Sequence, residues 1–300
     1  MPQPTTQPQP VLRFAPSPNG RLHLGHARSA CIGFDVACRL GGRFLLRIED
    51  IDLSRTREEF VSAIFEDLRW LGLSWEEPVL RQSQHFADYQ AAADKLKSLG
   101  LLYPCFATRS EIIAAQSEKT DPDGAPLYPG LHKHLGADEI LRRIDAGELF
   151  AMRLHMDRAI AHALNKAGSD AFAYWELDED LRPNRTTIDP ARWGDVILQR
   201  KDVPTSYHLS VVVDDARQGI THVVRGRDLQ LSTDVHRLLQ ILLDLPEPRY
   251  HHHALVLDAS GRKLAKSAGD TAIAELRRQG FTPLDIRRLA GVARSPARDP

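Results

Sequence analysis

A chain of 300 residues, 42% of them hydrophobic and with a formal net charge of −1, is long enough for one large α/β domain with an insertion or for two domains, and its charge balance offers no whole-chain argument for a nucleic-acid partner. Three cysteines, Cys31, Cys38 and Cys105, make no disulfide framework and fit a reducing cytoplasm. No apolar run approaches the ~20 residues of a membrane span, and the opening MPQPTTQPQP has neither a charged nor an apolar signal region, so residues 1–10 read as a disordered tail.

Residues 11–14 form a short apolar run that enters the loop Ala15-Pro16-Ser17-Pro18-Asn19-Gly20 and then a helix-like stretch carrying His23, Gly25 and His26. A strand, tight loop and helix in this order make a phosphate-binding unit, because the helix N-terminus presents unpaired N–H groups and a partial positive charge. Histidines at i and i+3 face the same way, where both can donate hydrogen bonds, and Gly25 permits close backbone approach. The helix is expected to end at Gly41-Gly42. Residues 43–48 then read as a buried strand running into the acidic cluster Glu49-Asp50-Ile51-Asp52. Asp52 or Ser54 is expected to cap the next helix, and Glu49 to face a ligand at the strand's carboxyl end. Residues 58–71 have helical periodicity, 75–78 read as a loop, 81–83 as a polar surface stretch and 86–99 as a helix.

From residue 101 the pattern turns loop-rich, with turn signals at Asp121-Pro122-Asp123-Gly124 and Tyr128-Pro129-Gly130. A short helix is expected over 137–147, a strand over 150–157 and irregular chain to 190, so 101–192 reads as an insertion. Strand character resumes at 194–200. Residues 206–215 read as helix or strand ending in two acids, 220–226 as a strand and 233–243 as a helix. His251-His252-His253 precedes an expected strand at 254–257; strand alternation would let at most two of these imidazoles converge, which disfavours a metal site. Gly261, Lys263 and Lys266 make a loop able to neutralise charge on phosphates. Arg277, Arg278, Arg287, Arg288, Arg294 and Arg298 cluster near the end, either as a solvated helix face or as phosphate contacts.

Taken together, these motifs resemble the class I aminoacyl-tRNA synthetases. His23-Leu24-Gly25-His26 matches their HIGH motif, and Lys263-Leu264-Ala265-Lys266-Ser267 their KMSKS loop, with Leu264 for Met and Ala265 for Ser. Arg13-Phe14-Ala15-Pro16-Ser17 and Arg47-Ile48-Glu49-Asp50 resemble the glutamyl/glutaminyl branch. Because only residues 268–300 follow the loop, no anticodon-binding domain is expected, and the chain looks like the glutamyl-queuosine tRNA(Asp) synthetase family, which consists of the catalytic domain alone.

The resemblance implies an α/β fold, a Rossmann-type parallel sheet in two halves (11–100 and 193–267) split by an α+β insertion at 101–192, with a short helical segment at 268–300. It implies ATP-dependent, tRNA-independent activation of L-glutamate, with Mg²⁺, and transfer to queuosine in the anticodon of tRNA(Asp). Arg13, Phe14, Ala15, Pro16, Ser17, Glu49, Tyr207 and Arg225 would bind glutamate: arginines for the carboxylates, Glu49 for the α-ammonium. His23, Gly25, His26 and Lys266 would bind ATP, with His23, His26, Lys263 and Lys266 catalytic. The family's structural zinc positions are degenerate here, with Cys105, Tyr128 and His132 but Ala107 in place of a cysteine, so zinc is expected to be absent. A cytoplasmic monomer with no membrane partner is expected. The alternatives are a truncated glutamyl-tRNA synthetase charging the tRNA 3′ end and a non-catalytic, synthetase-derived tRNA-binding module.

Overall fold

The computed structural model describes residues 9–115, 119–257 and 271–292. In its first half β1 (Val11–Phe14), fully buried, feeds α1 (Leu24–Arg39), which returns to β2 (Arg43–Ile48); α2 (Glu58–Trp70), β3 (Glu76–Arg81) and α3 (Phe86–Ser98) follow. β4 (Leu102–Cys105), α4 (Arg109–Ala114), α5 (Ala137–Asp145), β5 (Ala151–Leu154), α6 (Met156–Ala167), β6 (Ala173–Leu177), β7 (Pro183–Thr187) and β8 (Ile197–Gln199) form the middle. α7 (Tyr207–Arg217), β9 (His222–Gly226), α8 (Thr233–Leu243), β10 (Arg249–His253), α9 (Ile273–Arg278) and α10 (Pro283–Leu289) complete the chain.

Among the described residues, seven strands make one sheet in the order β3-β2-β1-β9-β10-β6-β7, and three make a second, β4-β5-β8. The large sheet is parallel except for its β6–β7 edge. Parallel strands joined by helical crossovers are covered on both faces, which explains the near-continuous apolar run of Phe44, Leu45, Leu46 and Ile48. β1 sits between β2, reached through α1, and β9, whose continuation runs the other way to β10. The carboxyl ends of β1 and β9 are therefore the topological switch point, where open α/β sheets leave a crevice.

Two larger hydrophobic cores flank this point. One joins β1, α1, β2 and α2 to Ile273, Leu276, Ile286 and Ala290 of the C-terminal helices. The other joins α3, the small sheet, α6, α7 and α8.

Several expectations are corrected. Residues 76–81 are the edge strand β3, and Gln82, expected at the surface, is buried and donates to Asp214 at 2.7 Å. α2 starts only at Glu58 with no side-chain cap, because Asp52 instead accepts from Ser54, Arg55 and Arg200 in the preceding turn. The strand expected to 157 stops at Leu154, and the stretch read as irregular holds α6, whose Met156, Ala159 and Ala163 turn inward, and the hairpin β6–β7. Sheet membership also crosses the boundary expected at 192: β6 and β7 belong to the large sheet, and β8 to the small one. Of the two readings open for 206–215, helix or strand, the helix holds: α7 spans Tyr207–Arg217. Finally, the histidine triplet lies in β10 itself and not ahead of a strand at 254–257; its three imidazoles are buried with polar partners.

Candidate active site

The loop after β1 is tied to the end of β2 by the Glu49 amide, which donates to the Pro16 carbonyl at 3.0 Å. It delivers His23 to the N-cap of α1. His23 Nδ1 accepts from the Gly25 amide at 3.0 Å, and His26 Nδ1 accepts from the His23 amide at 3.2 Å. The histidine pair is thus a reciprocal cap that satisfies N-terminal amides. With Nδ1 accepting, the proton of each neutral ring lies on Nε2, so both rings present donors of the kind a phosphate accepts. Gly25 serves this cap: a Cβ there would stand 2.9 Å from His23 Cε1.

Under the loop lies a buried charge cluster. Arg13 Nε and Nη2 donate to Asp215 at 2.9 and 3.3 Å, and Arg47, fully buried in β2, donates from Nη1 to Asp215 at 2.8 Å and to Gln218 at 2.9 Å. Arg47 also reaches Glu49 at 3.4 Å. Asp214, one residue back on α7, accepts from Gln82 and from Tyr89. Burial pushes the Asp215 carboxyl up, but Arg13 and Arg47 outweigh it and hold the group below the ordinary aspartate value. For Glu49 burial wins over Arg47 and Arg13, and its carboxyl lies above the usual range.

Arg225, near the carboxyl end of β9, is buried in a different environment. It donates from Nε to His252 Nε2 at 3.1 Å, from Nη1 to the Tyr207 hydroxyl at 3.3 Å and to His236 Nδ1 at 3.1 Å, and from Nη2 to Thr233 Oγ1 at 2.7 Å. All four acceptors are neutral groups. Burial, with the neighbouring guanidinium, depresses His252 to about 4 and His236 well below its ordinary value, so both rings stay neutral near pH 7.

These groups converge on a cavity of about 620 Å³ at the switch point. Arg13, Phe14, Ala15, Pro16 and Ser17 line it, as do His23, Gly25 and His26, then Glu49, Tyr207 and Arg225. Every described residue expected to bind glutamate or ATP therefore faces one space. Lys263 and Lys266 lie outside the described residues. The chain on either side of them reaches the cavity, since Leu255 and Val256 line it and Ala272 forms a β-bridge with His23.

Residues 10–294 match the family model for tRNA synthetases class I (E and Q), catalytic domain. The chain is 44% identical over 285 residues to the glutamyl-Q tRNA(Asp) synthetase of Rhodobacter capsulatus, covering 94% of this chain and 100% of that one.

The chain belongs to the class I tRNA synthetases (E and Q), in the family of the glutamyl-Q tRNA(Asp) synthetases.

A glutamate–tRNA ligase of Nitrosococcus oceani is 37% identical over 90% of this chain, which spans 56% of that protein. Among solved structures, a glutamate tRNA ligase from Elizabethkingia meningosepticum in complex with its amino acid aligns with a TM-score of 0.72 and 26% identity, over 97% of this chain and 62% of that one. The fold of this synthetase is accordingly the mostly parallel α/β catalytic domain of its class.

The degenerate zinc positions do come together, but as a hydrogen-bonded knot. The Cys105 thiol donates to the Tyr128 hydroxyl at 3.3 Å, and the Tyr128 oxygen accepts from the His132 amide at 2.8 Å. His132 Nδ1 accepts from the amides of Phe106 and Ala107 at 3.2 and 3.0 Å. That nitrogen is committed, and burial keeps the Tyr128 phenol protonated far above neutrality. The set does not fit a four-ligand zinc site. Among the described residues no group of three or more His, Cys, Asp or Glu could hold a metal ion.

Each of the described C-terminal arginines has an acidic partner. Arg277 pairs with Glu66, Arg278 with Glu275, Arg287 with Asp35 and Arg288 with Asp285; Arg294 and Arg298 lie outside the described residues. Sequence reasoning did not assign Asp215, His236 or His252 a part in the site. The one legible signal was the pair of acids closing Val211-Val212-Val213-Asp214-Asp215, since two acids ending an apolar run inside a helix need buried cations.

Proposed function

We propose that this synthetase activates L-glutamate with ATP in the absence of tRNA, and then transfers the glutamyl group to queuosine in the anticodon of tRNA(Asp). The observation that carries the reading is the convergence, in one cavity, of cationic, anionic and phosphate-compatible groups in the numbers that glutamate and ATP need. Arg225, buried with neutral partners, receives one substrate carboxylate through a charge-assisted hydrogen bond from its remaining Nη2 N–H. Arg13, held against Asp215, contributes its remaining guanidinium edge, with Ser17 and Tyr207 as hydroxyl partners. Glu49 takes the α-ammonium. His23 and His26 donate from Nε2 to the phosphates of ATP, while Lys263 and Lys266 neutralise the departing pyrophosphate. Mg²⁺ enters with the nucleotide as part of that substrate.

In the first step an α-carboxylate oxygen of glutamate attacks the α-phosphorus of ATP, forming the acyl–phosphate bond and releasing pyrophosphate. In the second, a ring hydroxyl of queuosine attacks the acyl carbon, loses its proton and displaces AMP. Neither step needs a covalent enzyme intermediate; placement and charge neutralisation supply the catalysis.

The test has two parts. Purified wild-type enzyme should exchange pyrophosphate into ATP with glutamate and no tRNA. It should also transfer labelled glutamate to queuosine-containing tRNA(Asp) whose 3′-terminal nucleotide has been removed. Exchange that requires tRNA, or transfer lost on 3′ trimming, transfers the assignment to 3′-end charging. Absence of exchange with any amino acid points to a non-catalytic tRNA-binding module.

A further inference from the structure

Arg225 has no carboxylate within ion-pair distance among the described residues, which is costly for a buried guanidinium unless negative charge reaches it some other way. It does so at one remove. His252 is the register partner of Arg225 across β10 and β9. Its Nε2 accepts from Arg225 Nε at 3.1 Å, and its Nδ1 faces Glu176 Oε2 at 2.7 Å. Arginine has only donors, so Nε2 must carry the lone pair and the ring proton must sit on Nδ1, where the Glu176 carboxylate accepts it. Glu176 Oε1 is committed as well, accepting from the His252 amide at 3.0 Å. The other imidazole chain, Arg225 to His236 to His208, passes through the 3.1 and 3.2 Å contacts and brings no carboxylate.

We propose that Glu176 is a positioning residue for the substrate carboxylate: acting through His252, it fixes the tautomer that holds Arg225 and supplies negative charge without itself taking an N–H of the guanidinium, so that the second N–H of Nη2 remains for the ligand. This rests on the reading that Arg225 binds a glutamate carboxylate. Arg13 shows the contrast. Its charge is met by Asp215 directly, whereas Arg225 donates only to neutral groups and the carboxylate of Glu176 stands one imidazole away. A guanidinium that is not neutralised by direct contact favours an anionic side chain over its amide, so the relay bears on discrimination of glutamate from glutamine.

Glutamine cannot replace Glu176. Both carboxylate oxygens accept hydrogen bonds, one from the His252 amide and one from Nδ1, and an amide has one oxygen. If its NH2 faced the backbone amide, two donors would meet. If it faced Nδ1, the imidazole would switch tautomer and place an Nε2–H against Arg225 Nε–H. His252→Gln is the complementary change, because a side-chain oxygen near the Nε2 position can accept from Arg225 without help from Glu176.

In glutamate-dependent pyrophosphate exchange, E176Q should raise the KM for glutamate about tenfold, the size of one lost hydrogen bond to a charged group. The KM for ATP and kcat should stay within about threefold, and the preference for glutamate over glutamine should fall. In an H252Q background the same change should cost less than twofold, because the residue it acts through is gone. A purely structural role would lower the melting temperature and move kcat or both KM values together. An unchanged glutamate KM in folded E176Q, or additive effects in the double variant, overturns the relay. Should E176Q not fold, E176D, which keeps both acceptors one methylene short, bears the same two outcomes. A wild type without glutamate-dependent exchange overturns the functional reading and the relay with it; wild-type exchange with an unmoved KM in E176Q overturns the relay alone.

Discussion

Glu49 belongs at once to a buried charge cluster and to the wall of the cavity. It lines the cavity at the end of β2, with Arg47 at 3.4 Å and Asp214 and Asp215 nearby. Burial dominates, so the carboxyl is held above the ordinary glutamate range. Only the ionised form attracts an α-ammonium. As the pH falls through this raised value the neutral acid takes over, and attraction is lost while an ordinary exposed glutamate, at about 4.3, would still be charged. The expected outcome is a glutamate KM that climbs on acidification before the substrate's own side chain titrates, with little change in the KM for ATP. Glu49→Gln should raise the glutamate KM at neutral pH and flatten that limb. A wild-type KM that is level down to the pH at which free glutamate protonates removes Glu49 from this role.

At the scale of elements, the N-terminus of α1 is built from its two histidines, and Gly25 is the residue that makes room. A Cβ at Gly25 would come within 2.9 Å of His23 Cε1 and 3.1 Å of His23 Nδ1. Gly25→Ala therefore displaces the ring that caps the helix. Losing an N-cap costs about 1 kcal/mol, and replacing glycine by alanine inside a helix returns about the same amount. Stability should thus move little, which makes the kinetics decisive. The KM for ATP should rise about tenfold if the displaced ring gives up one charge-assisted hydrogen bond to phosphate, with the glutamate KM near wild type. Equal KM values in wild type and Gly25→Ala would show that the ring holds its place without the glycine. The motif was legible in sequence as two histidines on one helix face. The cap was not, because it depends on the extended backbone at His23 (φ −125°, ψ 178°) that turns its Nδ1 onto the Gly25 amide.

At the scale of the molecule, the first half of the sheet was readable because β1, α1 and β2 follow local rules: an apolar run, a proline-rich loop and a glycine stop. The middle was not, because the membership of β6, β7 and β8 in one sheet or the other depends on pairing partners far along the chain. The site follows the same division. Arg13, Glu49, Tyr207 and Arg225 stand in recognisable motifs, whereas Asp215 acquires its partners only when α7 packs against β1 and β2, and His252 and Glu176 only when β9, β10 and β6 align. The C-terminal helices are likewise part of the first core and not an appendage. Ile273 and Ile286 are fully buried there, Arg28 of α1 donates to the carbonyls of Ala290 and Gly291, and the Ile273 amide donates to the Leu22 carbonyl at 2.9 Å, next to the His23–Ala272 bridge. Ile273 therefore anchors the chain leaving 258–270, where Lys263 and Lys266 lie in sequence, against the residue before His23. Ile286 fills the same core from α10, without the backbone link to Leu22 that Ile273 makes. Ile→Ala at either position should cost about 2–5 kcal/mol by loss of burial and the cavity left behind, read as a lower denaturation midpoint with an unchanged m-value. The two should part in kinetics. Ile273→Ala should raise the KM for ATP severalfold at a temperature where both variants are folded, while Ile286→Ala should leave it at the wild-type value. Equal ATP KM values in the two variants would mean that the segment stabilises the core without positioning the nucleotide end of the site.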